Sequence, residues 1–554
     1  MKKTALTILL TMTAAVCSYG QGAYEALLFS RNDYEGTARS VAMGNAFTAL
    51  GGDLGAVSIN PAGSAVAGYS QLTLTPSITF ASSTANGNPL PGATSADYFE
   101  KQFRSHAYRG GVPNVGLTYD FPTGRKSGIK NITFGFVMNQ SNSWCEDVYA
   151  NGTNANTSFA AAAAVNATEN LAILNESNPD PRYTYQDYLS TDAYKIGIPW
   201  KDVVGYRGGV FSQVGTSGEE FIGATEILFD NGDIQQGGQV DQTYGRHVTG
   251  NKYDYIFNFG MNISDFIYVG ANLGITSVSY DQNEYFKEAA VDKYDFENVF
   301  IDAEDVEHTT YFQDLTYRYS YSANGAGVYG KFGIIVTPGN GLRVGAAIQT
   351  PTALTITEKY LQSATTNFSD SQFSASAESP LGDYTYTITS PLLANFGVAY
   401  TLGKSGVFSA DYEVADYSSM KYHIDRHEMS DGDVDYFESV NEEIRSSYGT
   451  AHMLRLGAEL RPLSELAVRA GYNLTTSAMK DKNISQSLAF GLGYASKGSF
   501  FADLACRYSF ASREYYMPYG DYQFDSNGDI VNYSPEILIK SSNWKLLLTL
   551  GWRF

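Results

Sequence analysis

The closing segment of the chain, Asn543 to Phe554, restricts the fold more than any other stretch. Leu546, Leu548, Leu550, Trp552 and Phe554 fall on one face, and Lys545, Leu547, Thr549, Gly551 and Arg553 on the other. Successive side chains of a strand point to opposite faces. One continuous apolar face against a small or charged one is what a lipid-facing strand over a polar lumen requires. The same alternation recurs in thirteen earlier segments: 69–82, 111–122, 129–141, 251–263, 265–280, 323–337, 341–358, 384–402, 405–421, 451–462, 464–476, 485–497 and 499–512.

The joints between these segments alternate in length. Tight joints fall at Pro122–Gly128, Ser264, Pro338–Asn340, Leu402–Ser405, Pro462–Ser464 and Ser496–Gly498; the others span 83–110, 142–250, 281–322, 359–383, 422–450, 477–484 and 513–541. Outer-membrane barrels have short inner turns, long outer loops and an even strand number, whereas a β-sandwich gives no reason for the asymmetry. A sheet edge in lipid would leave backbone groups unpaired at several kcal/mol each, so the first strand must pair with the last. The expected fold is all-β: a 14-stranded antiparallel transmembrane β-barrel over 69–554, with residues 21–68 left over. A closed wall needs no partner edge, which predicts a monomer. In the longest loop, Ala160 to Leu174 reads as a short solvated helix, alanine being the strongest helix former.

Lys2 and Lys3 followed by the apolar run Thr4–Val16, with Ser18 and Gly20 at the cleavage positions, read as a signal peptide over 1–20 cut before Gln21. Cys17 lacks the small neighbour a lipobox needs, because Val16 precedes it. Cys145 and Cys506 are then the remaining cysteines; they fall far apart and are expected to be free thiols. A net charge of −21 argues against a nucleic-acid partner.

The leftover segment contains GTARSVAMGNAFTALGGDLGAVSINPAG, beginning at Gly36. Its small residues suit close packing against a wall, and Thr37–Leu50 reads as one helix ended by Gly51–Gly52. A barrel of this size has room for a small plug. This stretch, with Asn60–Pro61–Ala62–Gly63 as its Asn-Pro-Ala motif, resembles the hatch of the FadL/TodX (OmpP1) outer-membrane transporters. LRVGAAIQTP, LLANFGVAYTLG, FSADYEVADYSSMK, LRLGAELRP, VRAGYN and FGLGYASKG are similar to strand segments of that family; the long outer loops are not. The resemblance implies an outer-membrane location and passive transport of hydrophobic compounds, chiefly long-chain fatty acids. It further implies capture on an outer-loop groove, hatch movement, and sideways release through a wall gap beside a kinked strand. Asn60, Pro61, Ala62 and Gly63 are on that reading part of the ligand path. From the residues alone, a plain Asn-Pro turn fits equally.

With the apolar face outward, Lys331, Arg343, Arg455, Arg469, Arg507, Lys545 and Arg553 point inward, as do Asp411, Glu413, Glu459 and Asp503. Gly345, Gly457, Gly471, Gly491 and Gly493 leave room there for a plug or a ligand. Arginine binds a carboxylate bidentately. Arg343, Arg455 and Arg469 are the first candidates to anchor an amphipathic ligand, with Lys331 and Arg507 behind them. The competing reading makes all of these ion-pair braces for wall and plug.

The residues supply no catalytic constellation, cofactor motif or metal-ligand set. His423 and His427 have i, i+4 spacing without the rest of a zinc motif. His452 falls on the lipid-facing register near the outer rim. Asp431–Asp433–Asp435 and Asp525–Asn527–Asp529 lack the glycine and distal glutamate of a calcium loop and read as solvated acidic loops. The competing function is a structural or adhesive surface barrel that binds a host, glycan or haem-like ligand through its long acidic loops.

Overall fold

The computed structural model describes residues 22–88, 101–177, 180, 182–190, 196–215, 217–229, 231–301, 306–427, 429–480, 483–520, 523–524, 530–532 and 534–554. The signal-peptide reading and Asp525–Asn527–Asp529 fall outside them.

Fourteen antiparallel strands form one closed wall. They are β1 (Gln71–Asn88), β2 (Phe103–Pro122), β3 (Ile129–Asn154), β4 (Val240–Ile263), β5 (Ile267–Ala290), β6 (Glu307–Gly339), β7 (Leu342–Gln349, resuming as Ala353–Phe368) and β8 (Gly382–Thr389, resuming as Leu393–Leu402). They continue as β9 (Gly406–Asp416), β10 (Thr450–Leu460), β11 (Leu466–Thr476), β12 (Ile484–Ala495), β13 (Phe500–Tyr516) and β14 (Glu536–Arg553). β1 closes the barrel against β14, in register from Gln71 opposite Arg553 to Asn88 opposite Glu536. Every tight joint expected from the sequence is a short turn at one end, helped by left-handed backbone at Ser264, Asp265, Asn340 and Gly403. The outward band includes Leu74, Phe121, Phe136, Phe257, Leu273, Phe332, Phe396, Leu456, Phe490 and Trp552, all exposed. An apolar exterior on a closed wall belongs in lipid, and this places the chain in an outer membrane as a multi-pass barrel.

On one side of the barrel, β1 to β7, the strands run well beyond the expected segments, while β9 to β12 do not. β5 explains why. Up to Ile275 its outer face is apolar and its inner face polar, with Leu273 and Ile275 exposed and Asn272 and Thr276 buried. Beyond that point the phase inverts: Ser279 and Asp281 are exposed outside, while Val278, Tyr280 and Phe286 are buried inside. The wall has left the lipid and encloses an apolar interior in water. The outer joints on that side therefore shrink; the loop expected at 281–322, for example, lies mostly in β5 and β6. The wall is also lopsided. β6 has 33 residues, but β9, β10 and β11 have 11 each.

Two outer segments are more ordered than the sequence suggested. The alanine helix α3 (Phe159–Ser177) is not solvated: Ala160, Ala164, Ala167 and Leu171 are buried in a cap. Short helices α4 (Tyr185–Leu189) and α5 (Trp200–Arg207) pack there with Phe211, Phe286, Leu315 and Ile537. Asp431, Asp433 and Asp435 lie not in a solvated loop but on helix α6 (Asp431–Ser447), which Ser430 caps and whose face Phe437, Val440 and Ile444 is buried. Cys145 and Cys506 are free thiols.

Candidate functional site

Residues 22–70 fill the lumen as a hatch. It starts near the outer end with helix α1 (Ala23–Ser30), whose Ala26, Leu27 and Phe29 are buried against Tyr280, Tyr321, Tyr386 and Tyr422 of wall and loops. The following segment runs inward along β3, where the Asp33 and Glu35 amides donate to Ser141 and Gln140 carbonyls at 2.7 and 2.9 Å. That edge is free because the β2–β3 ladder stops at Asn114 opposite Asn139. Beyond it β2 stays on β1 while β3 stays on β4. The hatch backbone thus occupies part of a strand edge that β2 has left.

The helix expected over Thr37–Leu50 is only one turn and a half, α2 (Ala38–Ala42). Thr37 caps it, its side chain accepting the Ser40 amide. It ends early because Gly44 and Asn45 adopt left-handed backbone, φ 62 and 57. Gly44 there lies so close to Leu456 and Tyr472 backbone that a side chain has no room. The lumen glycines work the same way. Gly345 meets Thr48 and Ala49, Gly457 meets Met43, Gly471 meets Gly44, and Gly491 meets Ala42. Gly493 instead lies against the Arg469 guanidinium.

Asn60 caps the turn Pro61–Val66 through its Oδ1, which accepts the Ala62 amide at 3.0 Å. Its Nδ2 donates to the Thr48 carbonyl at 2.6 Å and to the Ile334 carbonyl of β6 at 3.2 Å. The Pro61 carbonyl accepts from Asn258 of β4 at 3.1 Å. Asn60, Pro61, Ala62 and Gly63 are all buried between hatch and wall.

The inward charges lie inside as read, and most meet the hatch. Glu459 accepts from Arg39 of the hatch at 2.9 Å and from Arg469 at 2.7 Å; Arg469 also reaches Asp503 at 2.5 Å. Arg507 pairs with Asp33 and Glu35 at 3.1 and 2.9 Å, and Lys545 pairs with Glu35 as well. Lys331 donates to the Ser58 carbonyl and Arg343 to the Leu50 carbonyl, both at 2.7 Å. Asp411 accepts the Thr48 amide at 2.7 Å. Arg553 lies over the Phe501 and Tyr69 rings. Arg343, Arg469, Lys331 and Arg507 are thus committed to hatch or wall.

Arg455 differs. It pairs with Glu413 at 2.5 Å and lies over the Tyr34 ring, yet its buried Nη1 has no hydrogen-bond partner among the described residues. It borders a chamber of about 340 Å³ between the hatch and β10–β13. Leu27, Leu28, Trp144, Tyr417 and Met453 give the chamber an apolar part; the rest of its lining is polar, with Asn32, Asp33, Asn142, Asn473 and serines of β12 and β13. Arg31 stands exposed in it with no ion-pair partner among the described residues. Thr476 and Ile484, where β11 ends and β12 begins, mark the low side of the rim above it. Arg31, Asp33 and Glu35 were not singled out from the sequence. The signal available was the charged run Arg31–Glu35 directly ahead of the small-residue stretch.

Among the described residues no group of three His, Cys, Asp or Glu side chains could hold a metal ion. His452 is exposed on the lipid side, with its Nδ1 2.7 Å from the Tyr412 hydroxyl.

The wall and its contents define an outer-membrane β-barrel plugged by its own N-terminal segment. Similar architectures occur in the toluene transporter TodX of P. putida (13% identity, 94% of this chain and 99% of that one, TM-score 0.47). They occur also in the toluene transporter TbuX of Ralstonia pickettii (14%, 94% and 99%, 0.45) and a FadL homologue of Pseudomonas aeruginosa (11%, 95% and 100%, 0.48). No family model and no curated protein matches the chain.

Proposed function

We propose that this barrel carries hydrophobic compounds inward across the outer membrane without an energy source, long-chain fatty acids first among them. The chamber is the observation that carries the reading. A ligand site joins apolar surface to placed polar groups, and here Arg31, with no ion-pair partner among the described residues, and an open Arg455 Nη1 share a largely polar chamber with Leu27, Leu28 and Trp144. A carboxylate headgroup satisfies both cations, and an acyl chain covers Leu27, Leu28 and Trp144. Arg343, Arg469, Lys331 and Arg507 brace the hatch in this scheme, and Asn60–Gly63 form its hinge point on β6. The unpaired stretch between β2 and β3 supports sideways release into the membrane once the hatch segment over Ser141 shifts.

The test is uptake of a labelled long-chain fatty acid by cells lacking their own receptor, at matched surface levels of each variant. The parent restores uptake; Arg31→Ala and Asn60→Ala each lower it several-fold. Full uptake by Arg31→Ala removes the chamber from the path. No uptake by a folded parent moves the ligand to another hydrophobic class or the barrel to surface binding.

A further inference from the structure

The outer surface of the wall carries a second cleft, about 420 Å³, that faces sideways and away from the lumen. Two neighbouring cross-strand rows build it on β3 to β6. In one, Asp147, His247, Asn283 and Ser320 stand opposite one another; in the next, Tyr149, Gly245, Tyr285 and Arg318 do. The opposite face of the same strands holds Val148, Tyr244 and Phe286 in the apolar interior, which fixes the cleft rows outside. β2, having left β3, supplies the remaining flank with Ser105 and His106. Arg109 ties it down by donating to the Trp144 carbonyl at 2.9 Å, and Phe103 packs edge-on against Tyr149.

Gly245 shapes the floor. The Tyr285 ring lies over it, in the space any Cβ would take. The ring is therefore laid along the sheet, and the Arg318 guanidinium stands 5.6 Å from its centre. Around the ring are a carboxylate, an imidazole, an amide and a hydroxyl. Pyranose rings present an apolar C–H face and a rim of hydroxyls, and an aromatic ring with peripheral polar groups complements both.

Position selects the source of the sugar. On β5 the last exposed apolar residue is Ile275. Asn283 follows eight residues on, roughly 27 Å along a strand, while on the β2 flank His106 lies two residues past the exposed Tyr108, so the cleft stands just outside the lipid. A sideways cleft at that height faces the saccharide layer of the surrounding leaflet. We propose that it binds the core oligosaccharide of outer-leaflet lipopolysaccharide, with Tyr285 stacking on a sugar and Arg318 taking a phosphate substituent. The proposal is independent of the lumen.

Full-length barrel in detergent is titrated calorimetrically with core oligosaccharide freed of lipid A. Lipid A alone and maltoheptaose are the comparators, and heat-modifiable migration on gels checks folding. Saturable binding of the core is expected, weakened about tenfold by Tyr285→Ala and held within about twofold by Tyr285→Phe, as the loss or retention of one stacked ring predicts. Equal affinity in a folded Tyr285→Ala barrel overturns the proposal, as does binding of lipid A or maltoheptaose with the affinity of the core. Should Tyr285→Ala fail to fold, Asn283→Ala decides: weaker binding supports the site, and unchanged binding overturns it.

Discussion

Glu459 joins hatch to wall at a single carboxylate. One oxygen serves both Arg39 of the hatch and Arg469 of β11, and the other accepts from Arg461 at 2.8 Å. The side chain is buried. Removing one member of a buried ion cluster strands the charges left behind. Arg469 keeps Asp503 and Arg39 keeps some water, so the loss for Glu459→Gln belongs at the low end of the range, about 3 kcal/mol. Denaturant titration of the barrel in vesicles measures it; a change under 1 kcal/mol would mean that the arginines re-pair elsewhere. At this scale the sequence was half legible. Alternation placed Glu459, Arg469 and Arg507 inside, but it carries no information on height. It could not tell which cation faces the hatch and which the chamber, and Arg31 precedes the periodic pattern altogether.

The strands were legible where lipid imposes one phase. All fourteen are present; those on the tall side, β1 to β7, run past their expected outer ends because the phase inverts once water replaces hydrocarbon outside, as β5 does past Ile275, whereas β9 to β12 match the expected segments or stop short of them. Helix α2 was overrun for a different reason. Its composition is helical through Leu50, but close approach to the wall at Gly44 overrides propensity. The cap was the least legible element, since its core is assembled from loop helices and the tops of distant strands. It also carries a titratable feature. Asp202 of α5 is buried, which pushes its carboxyl up to about 6 against the opposing hydrogen bond from Asn170 at 2.7 Å. Between the ordinary carboxylate range and that value the folded cap holds the proton more tightly than the unfolded chain. Cap stability therefore falls as pH rises through this interval and levels off above it. Hydrogen exchange of α5 amides, compared with Asp202→Asn, isolates the effect: a decrease of about 2 kcal/mol in opening energy from near pH 4 to pH 6.5 in the parent, absent in the variant. A parallel slope in both proteins assigns the pH response to other groups.

For the molecule as a whole, the hatch decides between a gated path and an open pore. Deleting residues 22–68 removes Arg39, Glu35 and the Asn60 turn while leaving every wall strand in place. Planar-bilayer conductance is expected to rise several-fold, with sensitivity of cells to large antibiotics rising alongside; conductance equal to the parent's would show that the cap alone seals the lumen. The direction of the hatch has a further consequence. Its first described helix sits near the outer end under Tyr422, whose hydroxyl donates to the Gly22 carbonyl at 2.8 Å. The chain then descends, and β1 departs from the inner end at Gln71 opposite Arg553. The earliest residues of the segment must therefore already stand inside before the seam between β1 and β14 zips shut. A ring completed first would leave them to thread a mouth already roofed by α3 and α5. Assembly is thus a matter of timing: β14 closes on β1 around a core that residues 22–70 have already laid down.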